Sequence, residues 1–443
     1  MKKVFMTLAM VMAMTTVTLA QKVNVSSYMS KIEKSDATIA DAKKAAKANT
    51  WMSRGALFTE IAGANSSLLF GGMPEDMLLL NVGKPDNADA IEEVVLNGTR
   101  YKKFVYSGVD VYLTIPAGED EMSTVACWLE TKPVYEGAID VAIEAYEKAL
   151  SIDPSVASKV GEAFGDIVTM LATDGQFAYD AGEYKKAEEL LAKAASVDEK
   201  NPVAPTTDPA QMYYYAAVAA VQADLYADAE KNLKIALDKG FEADGDTYYY
   251  LGYSQEKQEK KADAKETYIA GIEKYINNQN LLTSFISFCL LSGEDPSLVL
   301  SYISKAQAAD PQNASNYLAE GVVYDQMKEY DKAIPAYEKA LQIDPKMFPA
   351  LFNLGFAYRA KAIAVNKEIT QTDYTNTARI EELKTEFLKD MRSAIDPFEK
   401  AHELQPANKD VVEILKSLYF TLREEGPEMQ ANYEKYNTMF QSM

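Results

Sequence analysis

The residue types that most often carry catalysis or bind metals are scarce in this chain of 443 residues. It has one histidine, His402, and two cysteines, Cys127 and Cys289. A single imidazole excludes a metal centre built from histidines, and no glycine-rich phosphate loop or Ser/His/Asp set has a recognisable spacing. The cysteines lie in segments of different type, which is not the pattern of a disulfide scaffold. We therefore expect a non-enzymatic protein with no cofactor and no bound metal.

Aromatic and small residues instead recur at a fixed spacing that suits binding. The segment Ala314–Met347 has aromatic residues at its positions 4, 11 and 24, small residues at 8, 20 and 27, and proline at 32. These positions hold Tyr317, Gly321, Tyr324, Ala333, Tyr337, Ala340 and Pro345. Small side chains let two helices approach closely, and aromatic rings fill the space around that contact. Pro345 then ends the second helix, because proline has no backbone N–H.

This pattern resembles the tetratricopeptide (TPR) repeat, in which helices A and B form a unit of about 34 residues. The small residue at position 20 recurs in seven units, at Ala142, Ala187, Ala229, Ala264, Val299, Ala333 and Ala394. Position 8 of helix A recurs at Gly175, Ala217, Gly252, Ser287, Gly321 and Gly355. The resemblance implies a mainly α fold, a TPR-like α-solenoid superhelix.

The first repeat is split by an insert of about 75 residues with a different period. Trp51, Gly55 and Phe58 fit helix A, whereas the matching helix B is Gly137–Ile152. Within the insert, apolar residues alternate along the chain, and Asn97-Gly98 is a hairpin signal. We predict a small antiparallel sheet, covered on one face by repeat helices, with strands at Asp76–Asn81, Glu92–Leu96, Arg100–Tyr106, Val109–Ile115 and Thr124–Glu130. Trp128, in the last strand, is interpreted as a packing residue rather than a platform for a ligand.

The spacing of these signals predicts five segments along the chain. They are an export signal (1–20), N-terminal helices with the first helix A (21–63), the β-rich insert (64–136), the repeat array (137–408) with helical extensions at 155–172 and 360–390, and capping helices (409–443).

The N-terminus predicts export. Met1–Ala20 begins with Lys2 and Lys3, continues with an apolar run and ends in Thr18-Leu19-Ala20, the order of a cleaved signal peptide. No later stretch is apolar for long enough to span a bilayer. The formal net charge of −21 opposes binding to nucleic acid or to anionic lipid. We therefore expect a periplasmic protein, or one attached to the outer membrane through a partner.

The resemblance also implies a binding surface, because helix A lines the concave groove of such arrays, chiefly through positions 2, 5, 9 and 12. Aromatic side chains there would give a protein or peptide a large contact area at low cost in side-chain entropy. The expected ligand-binding residues are Tyr179, Tyr214, Tyr249, Tyr253, Phe288, Phe352, Phe356 and Arg359. We expect a protein- or peptide-binding scaffold of the bacterial envelope. The alternative is an exported glycan-binding protein that stacks sugars on these rings.

Overall fold

The computed structural model describes residues 23–118 and 121–443. The predicted export signal, Met1–Ala20, lies outside the described residues. The described chain is mainly helical and has one four-stranded antiparallel sheet, which confirms the predicted fold class. Contacts between Cα atoms divide the chain into two compact units, one ending at Phe241 and one running from Glu242 to Met443.

The described part of the first unit combines helix pairs with the sheet. Its helices are α1 Val25–Ala40, α2 Ala42–Ala45, α3 Ala48–Ala62, α4 Glu75–Asn81, α5 Ala138–Ile152, α6 Ala157–Asp180, α7 Tyr184–Glu199, α8 Pro209–Gln222 and α9 Tyr226–Asp238. Its strands are β1 Glu92–Leu96, β2 Thr99–Tyr106, β3 Val109–Thr114 and β4 Val125–Glu130.

The four strands pair with their sequence neighbours in the order β1-β2-β3-β4. Asn97 and Gly98 connect β1 to β2 with positive φ angles of 48° and 79°, which confirms the predicted hairpin. The side chain of Asn97 donates hydrogen bonds to the main-chain oxygens of Tyr179 and Asp180 at the end of α6, at 3.1 and 2.9 Å. Phe177 of α6 packs on the core of the sheet. The hairpin and one face of the sheet therefore contact repeat helices, as predicted.

The strand predicted at Asp76–Asn81 is wrong, because this segment is helix α4. Pro74 precedes the helix, and Glu75 and Asp76 occupy its first turn, where carboxylates interact favourably with the helix dipole. Only Leu78 is buried, whereas Leu80 is 64% exposed. The apolar run Met77–Leu80 therefore forms one turn of helix that buries Leu78, and it is not an alternating strand.

The split repeat closes across the insert as the spacing predicted. Helices α3 and α5 pack together, and a Cβ atom added to Gly55 would lie 2.6 Å from the ring of Tyr146. This close approach is the contact that positions 8 and 24 make in an unbroken pair. The predicted extension of the next helix is also present, since α6 contains 24 residues.

The second unit is a succession of helices joined by short turns. Its helices are α10 Asp246–Lys257, α11 Lys261–Lys274, α12 Gln279–Ser292, α13 Pro296–Ala309, α14 Ala314–Gln326, α15 Tyr330–Ile343, α16 Phe348–Gln371, α17 Thr377–Ser393, α18 Ile395–Leu404, α19 Lys409–Leu422 and α20 Pro427–Ser442.

The predicted extension of the last repeat forms the long hairpin of α16 and α17. Its helix B is broken at Ala394, so that α17 and α18 are separate helices. Pro397 explains the break, because it lacks the N–H that would bond to Ser393. Phe398 of α18 is fully buried and still packs at position 24 against helix A.

Candidate functional site

The A helices of the second unit form one layer. Helix α10 contacts α12, α12 contacts α14, and α14 contacts α16. In α10, α14 and α16 a glycine at position 8 packs on the ring at position 24 of helix B, and this contact fixes the rotation of helix A about its axis. A Cβ atom added to Gly252, for example, would lie 2.6 Å from the ring of Tyr268. Because position 8 faces helix B, positions 5 and 9 share another face of the A layer.

We call this surface the helix-A face and define it by positions 5 and 9 of the four A helices. Its residues are Tyr249, Tyr253, Thr283, Ser287, Leu318, Val322, Phe352 and Phe356, where Ser287 takes position 9 rather than the predicted position 8 for the reason given below. All eight are exposed or partly exposed. From α10 to α16 the helix-A face therefore forms a row that begins and ends with aromatic pairs and has aliphatic and hydroxyl side chains between them.

Phe288 does not belong to this surface, which corrects the prediction. In the pairs α6–α7, α8–α9, α10–α11 and α14–α15, a residue with positive φ follows helix A and helix B begins two residues later, as at Lys328 and Tyr330. In this pair the turn residue is Gly293, and helix B begins three residues later, at Pro296. The longer turn shifts the register of α12 by one. Phe288 is consequently 2% exposed and lies in the core beside Tyr268.

The aromatic pair on α10 is Tyr249 and Tyr253, with ring centroids 6.3 Å apart. Burial raises the pKa of Tyr249, and the neighbouring Tyr253 adds to the shift. The ammonium group of Lys257 lies 5.2 Å from the centre of the Tyr253 ring. Both rings are therefore held in place on their own helix and remain partly accessible.

The aromatic group on α16 is larger. Phe348 stacks on Phe352 at 5.6 Å, and Phe352 meets Phe356 edge to face at 4.8 Å. Buried Phe398 supports both Phe352 and Phe356 from below, at 5.7 and 5.5 Å. Arg359 follows one turn later, partly exposed, and makes no hydrogen bond or ion pair with another described residue. This end of the row thus offers a rigid apolar surface beside an available guanidinium group.

The two predicted residues of the first unit have different surroundings. Tyr214 is only 9% exposed and packs against Tyr215 and Phe241, so its prediction as an accessible groove residue is wrong. Its helix, α8, is apolar on most of its surface, and position 5 is enclosed there. Tyr179 is partly buried against Tyr184 at 5.2 Å, and burial raises the pKa of its hydroxyl.

Leu318 and Val322 on α14 lie outside the predicted set, because that set contains only aromatic residues and Arg359 of the groove positions. The same spacing rule finds them once aliphatic side chains are included. Thr283 and Ser287 were missed for another reason, namely the longer turn at Gly293. A glycine two residues before an Asp-Pro step is a signal that could have indicated it.

Among residues 23–118 and 121–443, no group of three or more histidine, cysteine and acidic side chains could hold a metal ion. Cys127 and Cys289 are free and buried, and burial raises the pKa of each thiol to about 12. Such thiols are protonated at neutral pH and are poor nucleophiles. None of the helices in these ranges is both long enough and apolar enough to cross a membrane.

Two segments match the sequence model of the tetratricopeptide repeat. Residues 317–347 correspond to α14 and α15, and residues 135–156 correspond to α5, the helix B that follows the insert. No curated protein matches the chain.

Several solved structures are similar. YrrB, described as a TPR protein with an unusual peptide-binding site, aligns at 23% identity with a TM-score of 0.32, over 47% of this chain and 97% of that one. The C-terminal part of a TPR repeat-containing protein from Cytophaga hutchinsonii aligns at 17% identity with a TM-score of 0.35, over 54% and 98%. A TPR repeats protein from Bacteroides fragilis aligns at 18% identity with a TM-score of 0.30, over 57% and 98%.

The two matched segments are carried by helix pairs that pack through the same small and aromatic positions. The chain therefore contains tetratricopeptide repeats, matched over residues 135–156 and 317–347.

Proposed function

We propose that this chain is a non-enzymatic scaffold of the bacterial cell envelope that binds a segment of a partner protein along the helix-A face. The observation that carries the proposal is the row of accessible side chains on four successive A helices, with aromatic pairs at both ends. Aromatic side chains bury much area on binding and lose little entropy, which makes them frequent hot spots.

The spacing of the helices limits the size of the ligand. Adjacent packed helices lie about 8–10 Å apart, so the four A helices span about 24–30 Å. An extended peptide covers that distance with about eight or nine residues at roughly 3.3 Å each. The ligand should have apolar side chains near both ends, over the aromatic pairs. The hydroxyl groups of Thr283 and Ser287 can bond to its polar groups between them.

Charges at the two ends favour one direction for the ligand. Arg359 lies beside the aromatic group of α16 without an acidic partner among the described residues. Asp246 and Glu256 flank Tyr249 and Tyr253 on α10 and outweigh the single positive charge of Lys257 beside the Tyr253 ring. A segment with an acidic side chain near α16 and a basic one near α10 is therefore electrostatically complementary, which favours that orientation.

The test places the same substitution, serine to glutamate, on helix A and on helix B of one repeat. Ser287 on helix A and Ser301 on helix B are both exposed. The tagged chain and its Ser287→Glu and Ser301→Glu variants are used to capture partners from the native envelope, which are quantified by mass spectrometry. A glutamate in the middle of the helix-A face should weaken binding of the specific partner about tenfold or more, whereas the same charge on helix B should not.

Equal recovery with both variants would contradict a ligand on the helix-A face. Recovery of glycans and not of a protein, lost with Ser287→Glu, would favour the alternative of a glycan-binding protein. The envelope location is supported by the order of charged, apolar and small residues in Met1–Ala20. Sequencing the N-terminus of the protein from the envelope fraction should begin at Gln21, and an intact Met1 in the cytosol would contradict export.

A further inference from the structure

A cavity of about 220 Å³ lies where the sheet meets the repeat helices of the first unit. The end of β4, the start of α5 and the facing sides of α6 and α7 enclose it. Its apolar wall includes Trp128, Met170 and Leu171, and its polar wall includes Glu130 and Asp174. The cavity belongs to a different unit from the helix-A face, so a ligand in it is independent of the proposed function.

Negative charge in this cavity exceeds the positive charge available to balance it. Its carboxylates are those of Glu130, Glu136 and Asp174, and its ammonium groups are those of Lys186 and Lys193. Lys193 is already paired with Asp140 outside the cavity lining, at 2.7 Å. Lys186 remains to face three carboxylates, and it donates a hydrogen bond to the main-chain oxygen of Glu130 at 2.6 Å. The cavity therefore lacks at least one positive charge.

The pKa values of the two more buried carboxyl groups, Asp174 and Glu130, are both raised. Desolvation and, to a lesser extent, the charge of Glu130 raise the pKa of Asp174 to about 6, against a smaller opposite effect from Lys186. Burial also raises the pKa of Glu130. Asn65 holds Glu130 in position by donating to its Oε1 at 2.9 Å. A bound cation would stabilise the ionised form of both groups.

The indole N–H of Trp128 is a second unsatisfied group in the same wall. Trp128 is 6% exposed, and its ring is fixed by an edge contact with Phe177 at 4.5 Å. Its Nε1 faces Asp174 closely enough to oppose the rise in the pKa of that carboxyl, but no acceptor of the described residues lies in hydrogen-bonding geometry. A buried donor without an acceptor costs free energy, so a ligand that supplies an acceptor is favoured.

We infer that this cavity binds a primary ammonium group with a carbonyl oxygen next to it, as found at the free amino end of a peptide. The ammonium group lies between Glu130 and Asp174, and the carbonyl oxygen accepts from Trp128 Nε1. The α-amino group of a peptide has a pKa of about 8, so it is charged at neutral pH. A volume of 220 Å³ equals that of roughly seven water molecules, which suits one or two small residues.

Three small probes separate the parts of this proposal. Glycylglycinamide has the ammonium group and the adjacent carbonyl, acetylglycylglycinamide keeps the carbonyls without the charge, and ethylammonium has the charge alone. The chain contains two tryptophans, so a Trp51→Phe protein leaves Trp128 as the single indole reporter. Its indole ¹H–¹⁵N resonance is followed by NMR during titration with each probe.

We expect saturable movement of the resonance with glycylglycinamide, and at least tenfold weaker effects with the other two probes. Asp174→Asn should weaken binding of glycylglycinamide at least tenfold, whereas Glu144→Gln, which removes an exposed charge on α5, should not. Thermal melting of each variant checks that it is folded. Calorimetry at pH 6 in two buffers should also show proton release on binding, because the cation lowers the pKa of Asp174.

Three results would overturn the inference. The first is an unchanged resonance at about 10 mM glycylglycinamide, a concentration tenfold above a Kd of about 1 mM. The second is an equal response to acetylglycylglycinamide, and the third is equal binding of ethylammonium. Each of these leaves the helix-A face untouched, since none of its residues lines the cavity.

Discussion

The pKa of Asp174 is set by its position at the junction between the sheet and the repeat helices. Burial and the charge of Glu130 raise the pKa of its carboxyl group to about 6, above the ordinary value of 3.8. The folded state therefore holds the proton more tightly than the unfolded state does. The contribution to stability is fully present below pH 4 and is lost as the pH rises through 6.

From this we predict that Asp174→Asn raises the free energy of unfolding at pH 7 by about 1–2 kcal/mol, after allowance for partial solvent contact of the carboxyl group. At pH 4 the variant and the parent should differ little, because the parent carboxyl is then protonated. Thermal unfolding at both pH values measures this, with Glu144→Gln as the control. An equal shift at both pH values would contradict the assignment.

Lys328 shows a second local effect, at the turn between α14 and α15. It has a φ angle of +60°, although it is not a glycine. That conformation costs an L-residue roughly 1–2 kcal/mol, and glycine adopts it freely but loses more entropy on folding.

We predict that Lys328→Gly stabilises the protein by about 0.5–1 kcal/mol. The same change at exposed Lys339, inside helix α15, should destabilise it by about 1 kcal/mol. Denaturant unfolding of both variants gives the two signs. A loss of stability at position 328 would show that the lysine side chain makes a contact worth more than the strain.

At the scale of the elements, helix pairing depends on the fit of position 8 to position 24. Gly252 faces Tyr268, and Gly321 faces Tyr337, with no room for a Cβ atom. Where position 24 is the smaller Leu233, position 8 is Ala217. The large rings at position 24 are thus accommodated by glycine at position 8, although Gly175 also faces a leucine, Leu191.

This fit predicts coupling between the two positions. Gly252→Ala should destabilise the protein by about 1–3 kcal/mol, because the added methyl group overlaps the ring of Tyr268. In a double-mutant cycle with Tyr268→Leu, the double variant should lose less stability than the two single changes together. Strict additivity, measured by denaturant unfolding, would mean that the helices separate instead of keeping this contact.

The sheet is a second element whose stability is shared with its neighbours. Asn97 bonds to the end of α6, and Phe177 of α6 packs on the core of the sheet. Replacing 64–136 by a short Gly/Ser link should therefore lower the melting temperature of the whole protein, because the insert covers apolar surface of α6. An unchanged melting temperature would show that the insert folds independently.

At the scale of the whole molecule, the repeat pattern was predictable because it depends on local spacing. Gly55 and Tyr146 could be paired across the insert from their positions alone, and the structure confirms their contact. The errors arose where one residue changes the local geometry. Pro74 begins a helix where a strand was expected, and the turn at Gly293 shifts α12 by one residue.

The binding surfaces were only partly predictable, for a different reason. Spacing indicates which residues face away from helix B, but not which of them a neighbouring element covers. Tyr214 occupies a groove position and is nevertheless enclosed by Phe241. Glu130 and Asp174 come from the sheet and from a repeat helix, and no periodic pattern relates them. Only folding brings such pairs together.

The most direct test of a ligand on the helix-A face is site-specific photo-crosslinking in living cells. A photoreactive amino acid is placed at Thr283 on helix A or at Ser301 on helix B, both exposed positions of one repeat. We predict a crosslinked partner from position 283 and none from position 301. Crosslinking from position 301 alone, or with equal yield from both, would contradict a partner bound along the helix-A face.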